Sequence, residues 1–117
     1  MVLYSAGAPG IAILKDSIFN SNVTLGTDIF ASDLEPTYTP TTFRIYASFV
    51  AVGVLTVRRT SGAATISELL NAGVALATNS AYVFDIIVEA GESVNLQYGA
   101  TTLCLSLKVT EISMAVA

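Results

Sequence analysis

The chain contains no histidine, and this absence removes the commonest catalytic arrangements. A Ser-His-Asp or Cys-His nucleophile needs an imidazole as its base, so neither can form within one copy of the chain. The only cysteine, Cys104, cannot form an internal disulfide, and its place among leucines predicts a small buried residue or an interface contact. No glycine-rich phosphate loop of the Walker type occurs. We therefore predict a protein that is not an enzyme and binds no cofactor.

Charge is scarce as well. Charged residues make up 12 % of the 117 residues and apolar residues 53 %, whereas about 25 % of an ordinary soluble domain is charged. Part of the surface must therefore be neutral Thr, Ser, Asn and Ala or be covered by other subunits, and we expect both. Five basic residues against nine acidic ones give a net charge of −4, which argues against nucleic acid as a partner.

The longest uncharged apolar run raises the question of a membrane segment. It covers the 13 residues from Ile45 to Val57, between Arg44 and Arg58, whereas a membrane-spanning helix needs about 20 apolar residues. The run is rich in β-branched residues and is interrupted by Gly53. We therefore predict two strands of a folded domain and no membrane partner.

Alternation of apolar and polar residues is the main structural signal, and it is typical of half-buried β-strands. From residue 41 onward it groups apolar side chains on one face of each predicted strand: Phe43, Ile45, Ala47 and Phe49; Leu55 and Val57; Tyr82, Phe84, Ile86 and Val88; Val94, Leu96 and Tyr98; Leu103, Leu105, Leu107 and Val109. In the first third, residues 11–19 and 22–30 look like two strands divided by Asn20 to Asn22. Residues 61–73 fit either a helical turn capped by Gly73 or a short strand and a loop.

Turn residues at regular intervals separate these runs. The sequence therefore predicts an all-β fold, a single antiparallel sandwich of about eight strands. We assign residues 11–117 to this domain and residues 1–10 to a possible N-terminal arm. No basic segment precedes an apolar core, so we do not expect a cleaved signal peptide.

Some predicted strands are apolar on both faces, which usually means that both faces are covered. Val83 and Ile87 lie opposite the Phe84 face, and a symmetric oligomer would cover them without further sequence. Our hypothesis for the assembly interface is the outward Tyr46 and Tyr98 together with Val83 and Ile87.

Asp85 interrupts an apolar strand, where a lone buried carboxylate is costly. We predict a structural ion pair between Asp85 and Arg44, within a subunit or across an interface. Asp28, Asp33 and Glu35 could supply oxygen ligands to calcium, but their spacing fits no known loop, so we predict no metal. A glycosylation triplet at Asn22 carries no support from an export signal.

The C-terminal half resembles small β-sandwich structural proteins of tailed viruses that infect bacteria and archaea. The resemblance spans residues 69 to 112 and rests on four short motifs: Leu70-Asn71-Gly73, Tyr82-Phe84-Asp85-Val88, Gly91-Glu92-Ser93-Val94-Asn95 and Val109-Glu111-Ile112. It implies a jelly-roll-like sandwich, commonly trimeric, on a virion as a capsid decoration, turret or tail-associated protein. It implies no enzyme activity.

The expected localisation is thus the virion, and the expected partners are further copies of the chain and a major capsid or other virion protein. Two alternatives remain open. One is an extracellular filament subunit that polymerises by strand exchange, with residues 1–10 adding a strand to a neighbour's sheet. The other is a carbohydrate- or receptor-binding sandwich with an exposed aromatic or calcium site at one end.

Overall fold

The computed structural model describes residues 11–113, and these form seven β-strands and no α-helix. The strands are β1 (Ala12–Val23), β2 (Thr41–Phe49), β3 (Leu55–Ser61), β4 (Ala64–Leu69), β5 (Tyr82–Val88), β6 (Glu92–Tyr98) and β7 (Thr102–Ser113). All named pairings are antiparallel. The predicted all-β antiparallel sandwich is confirmed, with seven strands in place of about eight. The possible arm at residues 1–10 lies outside the described residues.

Two sheets form the sandwich. One contains four strands in the order β1-β7-β2-β5, and the other contains three in the order β4-β3-β6. In β2 every second residue from Thr41 to Phe49 is buried, which is the alternation expected of a strand with one face in the core. The inward faces of both sheets meet in one core that includes Phe43, Ile45, Leu55, Leu96 and Val109. The apolar run of the sequence is thus divided between β2 and β3, as predicted. Within residues 11–113, no helix has the length and hydropathy that crossing a membrane requires.

The first third differs from its prediction of two strands. Residues 12–23 form one long strand that continues through Asn20, whose φ is 55°. Asparagine tolerates this left-handed conformation better than most residues. The strand therefore continues, and its register against β7 is the same at Phe19–Ser106 and at Ser21–Cys104. The second predicted strand is an irregular segment that follows the edge of β6. Ile29 donates its N–H to Leu96 O (2.8 Å), and Leu34 exchanges two backbone hydrogen bonds with Val94 (2.7 and 2.9 Å).

Buried and exposed residues do not alternate along the whole of β7 as predicted. Its register against β2 shifts between the pairs Ser48–Ser106 and Phe49–Cys104, which leaves Leu105 as an extra residue in β7. Such a bulge exchanges the faces of the residues before it. Leu107 and Val109 are buried as predicted, but Leu103 and Leu105 are only half-buried, and Cys104 is in the core instead.

Of the two structures predicted for residues 61–73, a helical turn or a short strand and a loop, the protein contains the strand and loop. Residues 64–69 form β4, and only the three residues Asn71–Gly73 form a 3-10 turn. Gly73 has a φ of 76°, which suits glycine and ends the turn before residues 74–81 cross to β5.

Candidate assembly surface

Three of the four residues predicted for assembly share the outward face of the four-stranded sheet. Val83 of β5 is directly opposite Tyr46 of β2, and Ile87 lies further along the same face of β5. Val83 is 55 % exposed and Ile87 64 %, although Ile86 and Val88 of the same strand are buried. The strand β5 therefore carries apolar side chains on both of its faces.

This surface extends across all four strands, and we call the outward residues of β1, β7, β2 and β5 the sheet face. Leu14 and Phe19 of β1, opposite Thr110 and Ser106 of β7, are also exposed. Neutral hydroxyl side chains occupy much of the remainder, including Thr42, Ser48, Ser106 and Thr110. The sheet face is thus broad, and it is mostly uncharged.

Arg44 and Asp85 lie opposite each other in the middle of the sheet face. Arg44 Nε donates to Asp85 Oδ1 (2.9 Å) and Nη2 to Oδ2 (3.0 Å), a two-point contact that neutralises both charges. The structure therefore brings the predicted partners together within one copy of the chain. The hydrogen bonds from Arg44 lower the pKa of Asp85.

The burial expected for Asp85 is wrong. Its side chain is 48 % exposed and that of Arg44 40 %, because nothing within the described residues covers the sheet face. An exposed pair of this kind adds little to the stability of a single copy. The pair makes the centre of the sheet face neutral, and it would become buried only when another molecule covers that face.

Lys108 is the other charged residue that projects from the sheet face. Its Nζ lies 4.9 Å from the centre of the Tyr46 ring, within the range of a cation–π contact. This contact holds the ring of Tyr46 against β7, so the tyrosine contributes a flat and half-buried element of the surface.

The prediction that Tyr98 is an outward interface residue is wrong. Tyr98 lies in the other sheet and is only 1 % exposed. Its ring stacks on Phe49 with 3.7 Å between the ring centroids, and its hydroxyl donates to Ala51 O (2.6 Å). The residue satisfies its polar group inside one copy, so it contributes to the core and not to a contact with another.

The acidic loop considered for calcium is occupied by an arginine. Arg58 donates to Asp28 from Nε (2.8 Å) and Nη2 (2.7 Å), and the same Nη2 reaches Asp33 Oδ1 (2.6 Å). These hydrogen bonds from Arg58 lower the pKa of Asp28. A cation is thus already present where calcium would have to bind, and residues 11–113 contain no cluster of three potential metal ligands.

A second acidic region lies at the same end of the sandwich as Ser113. A cleft of about 380 Å³ there is lined by Glu35, Pro36, Thr39 and residues 90–93. Its Glu92 receives a backbone hydrogen bond from Glu89 and a side-chain one from Arg59, and both lower the pKa of Glu92. Arg59 also binds Glu68 and Ile87 O, so this cluster ties β3 to β4, β5 and β6.

Glu111 is the structural residue that reasoning from composition missed. Its side chain is 0 % exposed, and its Oε2 accepts hydrogen bonds from Thr37 N (2.6 Å) and Tyr38 N (3.1 Å). Oε1 lies 3.3 Å from Lys15 Nζ. One sequence signal could have identified Glu111 as buried: it follows Leu107 and Val109 at every second position and therefore lies on the inward face of β7. This carboxylate fastens the proline-containing segment 35–40 to β7.

Burial by itself would raise the pKa of Glu111. The hydrogen bonds from the Tyr38 N–H and from the hydroxyl and N–H of Thr37 outweigh that effect, so its pKa lies below the ordinary value of 4.5. The group is therefore ionised near neutral pH.

Cys104 is buried in the core beside Phe49. Burial raises the pKa of its thiol to about 11, slightly opposed by a backbone hydrogen bond from Ser106. A thiol with this pKa is not ionised at neutral pH and is out of reach of solvent, which agrees with its interpretation as a small apolar residue. A contact of Cys104 with another subunit is excluded by its burial.

Comparison with known proteins shows the fold of the chain and does not show its function. The sequence matches no protein-family model and no curated protein. Among solved structures, the globular domain of the zebrafish complement 1qA protein is similar, with a TM-score of 0.50 and 14 % sequence identity over 93 % of this chain and 99 % of that one. The chain is thus a small all-β, jelly-roll-like sandwich of the kind seen in that domain. An identity this low establishes the fold alone.

Proposed function

We propose that the chain is a non-enzymatic structural module that assembles with its own copies into a closed homo-oligomer, a trimer, through the sheet face. The observation that carries the proposal is the exposure of Val83 and Ile87 on a strand whose other face is already in the core. Uncovered apolar side chains on a broad sheet are typical of surfaces that bind another protein.

Electrostatics supports a copy of the same chain as the occupant. The sheet face carries Arg44 and Asp85 as a neutral pair and Lys108 against an aromatic ring. Two such faces, or two parts of one face, can meet without a cluster of like charges. Closed rotational symmetry then satisfies every copy equally, which is the usual outcome for soluble homo-oligomers.

The setting that we propose is the surface of a virus particle, as a capsid decoration or as a turret or tail-associated protein. Two features support it: the motif resemblance of residues 69 to 112, and a sandwich whose three arginines are all paired with carboxylates of the same chain. A repeated, largely uncharged module that covers its apolar faces by assembly suits a particle built from many copies. The virion and a capsid or other virion protein are thus the proposed location and partner.

The assembly is tested by placing a charge on the sheet face. The double variant Val83→Asp, Ile87→Asp should have one third of the wild-type mass by native mass spectrometry, because buried unpaired carboxylates oppose the contact. Both side chains are exposed, so the fold should persist, as shown by an unchanged far-ultraviolet circular dichroism spectrum.

Ile66→Asp is the matched control, because Ile66 is equally exposed but lies on β4 in the other sheet. It should keep the wild-type mass. A double variant with the wild-type mass would contradict assembly through the sheet face. A wild-type mass that grows without limit as concentration rises would instead indicate the open filament of the first alternative.

The setting needs a separate test. An antibody against the folded chain should label purified virus particles in electron micrographs and should co-sediment with them. Antigen that stays in the soluble fraction, with no labelled particles, would contradict the virion proposal and leave the assembly proposal untouched.

A further inference from the structure

One end of the sandwich is formed by four loops without a single charged residue. They cover residues 24–27 (the start of the connection from β1 to β2), 50–54, 70–81 and 99–101, and none of these ranges contains Asp, Glu, Lys or Arg. The next residue of the first connection, Asp28, is paired with Arg58. The five basic and nine acidic residues of the chain all lie outside these loops. The net charge of −4 is therefore displaced away from this end of the molecule.

Hydrogen bonds join these loops into one surface, which we call the tip. Leu76 donates its N–H to Gly53 O (2.7 Å), and Gly99 donates to Val54 O (3.0 Å). The first loop is attached by Leu25 N, which donates to Thr101 Oγ1 (3.1 Å). The loops are thus held against one another and form one continuous surface.

The tip exposes large apolar side chains. Five of them, in these loops or at the adjoining end of β4, are between 36 % and 62 % exposed: Leu25, Val50, Val52, Leu69 and Val74. A shallow groove of about 240 Å³ runs between Leu25, Val54 and Leu69. An apolar cluster of this kind in contact with water is typical of an interaction surface. It lies on the loops, so it is separate from the sheet face.

The chemistry of the tip favours a protein surface over a lipid surface. Proteins that bind membrane interfaces commonly use Trp or Tyr at the headgroup level and Lys or Arg toward anionic lipids. The four loops contain none of these residues, and the rest of the chain is net negative.

We propose that the tip of one copy packs against the tip of a second copy. Net charge opposes the association of like molecules, and this opposition is smallest when the charged parts are farthest apart. The molecule is 49 Å along its longest axis, and two tips in contact bring no charged loop residue to the interface. Contact through the opposite end would instead bring together Glu35, Glu89 and Glu92.

This inference deepens the proposed function, on which it rests only for the stoichiometry. If the sheet face forms a closed ring whose rotation axis runs along the strands, the tips of its copies point in one direction, and two rings stack through their tips. The assembly then has twice the number of copies of one ring. If the sheet face forms no ring, tip-to-tip contact alone gives a dimer.

The experiment is native mass spectrometry, supported by sedimentation velocity, on the double variant Val52→Asp, Val74→Asp. Its mass should be half that of the wild-type assembly, because four carboxylates would face one another across each pair of tips. Combined with Val83→Asp and Ile87→Asp, it should give monomers, whereas the sheet-face variant alone should give dimers. Ile66→Asp again serves as the matched control and should keep the full mass.

The two proposals therefore fail in different ways. A tip variant with the full wild-type mass would overturn the tip contact and leave the ring intact. A sheet-face variant with the full mass would overturn the ring. Flotation of the wild type with zwitterionic phosphatidylcholine vesicles, lost in the tip variant, would identify the tip as a lipid-binding surface and overturn the second copy as its occupant.

Discussion

At the scale of single residues, the few cations of this chain are engaged with partners inside the chain. Each arginine binds carboxylates from another strand or loop: Arg44 with Asp85, Arg58 with Asp28 and Asp33, and Arg59 with Glu68 and Glu92. These pairs are partly exposed, and such pairs contribute little stability. The pair of Lys15 with Glu111 is different because Glu111 is completely buried.

Replacement of Glu111 should therefore destabilise the fold more than replacement of any exposed acid. Glu111→Gln removes the negative charge beside Lys15 and offers at most one oxygen to the N–H groups of Thr37 and Tyr38. We expect the free energy of unfolding to fall by about 2–3 kcal/mol, since hydrogen bonds to a buried charged group are lost. Urea unfolding at pH 7 measures this.

Glu89→Gln is the control, because Glu89 is exposed and its side chain makes no hydrogen bond among residues 11–113. Its effect should stay within about 0.5 kcal/mol. Equal effects of the two substitutions would show that Glu111 does not anchor segment 35–40.

At the scale of elements, the free edge of β6 is closed by a segment that is not a regular strand. Asn95 explains how this is possible. Its Oδ1 accepts from Phe30 N (3.1 Å) and its Nδ2 donates to Phe30 O (3.0 Å), so one side chain satisfies the backbone that the sheet leaves unpaired. Asn95 lies on the face of β6 opposite Val94 and Leu96, and it is buried under this segment.

Asn95→Ala should detach this segment before it unfolds the sandwich. The buried N–H and C=O of Phe30 would lose their partners, which costs about 2–3 kcal/mol. Amide hydrogen exchange should accelerate at Phe30 and Leu34 while Val57 in the centre of β3 keeps its protection. Asn22→Ala, at an exposed position of β1, should leave all three amides unchanged. Uniform acceleration across the chain would contradict a separately anchored segment.

At the scale of the whole molecule, the fold combines a complete core with incomplete surfaces. The core residues, among them Phe43 and Val109, are almost completely buried. The sheet face and the tip, in contrast, leave apolar side chains exposed. The low content of charged residues agrees with the proposed assembly, since copies that cover one another need fewer charged residues to stay in solution. Among residues 11–113 the core side chains are thus covered, whereas apolar side chains on the sheet face and the tip remain in contact with solvent.

The pH dependence of stability should reflect carboxylates whose pKa is lowered by folding. Folding lowers the pKa of Asp28, Asp85, Glu92 and Glu111. The unfolded chain then binds more protons than the folded chain in acid, so stability is complete above the ordinary values of 3.8 and 4.5 and falls as the pH passes the lowered ones.

Urea midpoints measured from pH 7 to about pH 2.5 at one protein concentration test this linkage. The midpoint should decrease below about pH 4.5, and the difference between wild type and Glu111→Gln should shrink over the same range. A midpoint that rises as the pH falls toward 3 would contradict the assigned pairs.

Much of the fold was predictable because strand alternation is a local property. The faces of β2 and β5 follow directly from their residues, and the outward position of Val83 and Ile87 needs no knowledge of other strands. The exposure of Asp85 was not predictable, since it depends on what covers the sheet face. The role of Asn95 was not predictable either, since its partner Phe30 is 65 residues away in the chain.

The sequence by itself determined the class of fold, the lack of a histidine-based site and the excess of apolar surface, because each depends on composition or on neighbouring residues. Only the tertiary structure decided the places of Tyr98, Cys104 and Glu111. A single bulge at Leu105 changes which residues of β7 face the core, and the segment 24–40 selects which edge of the sandwich is covered. Both depend on contacts between distant parts of the chain, and no local pattern encodes them.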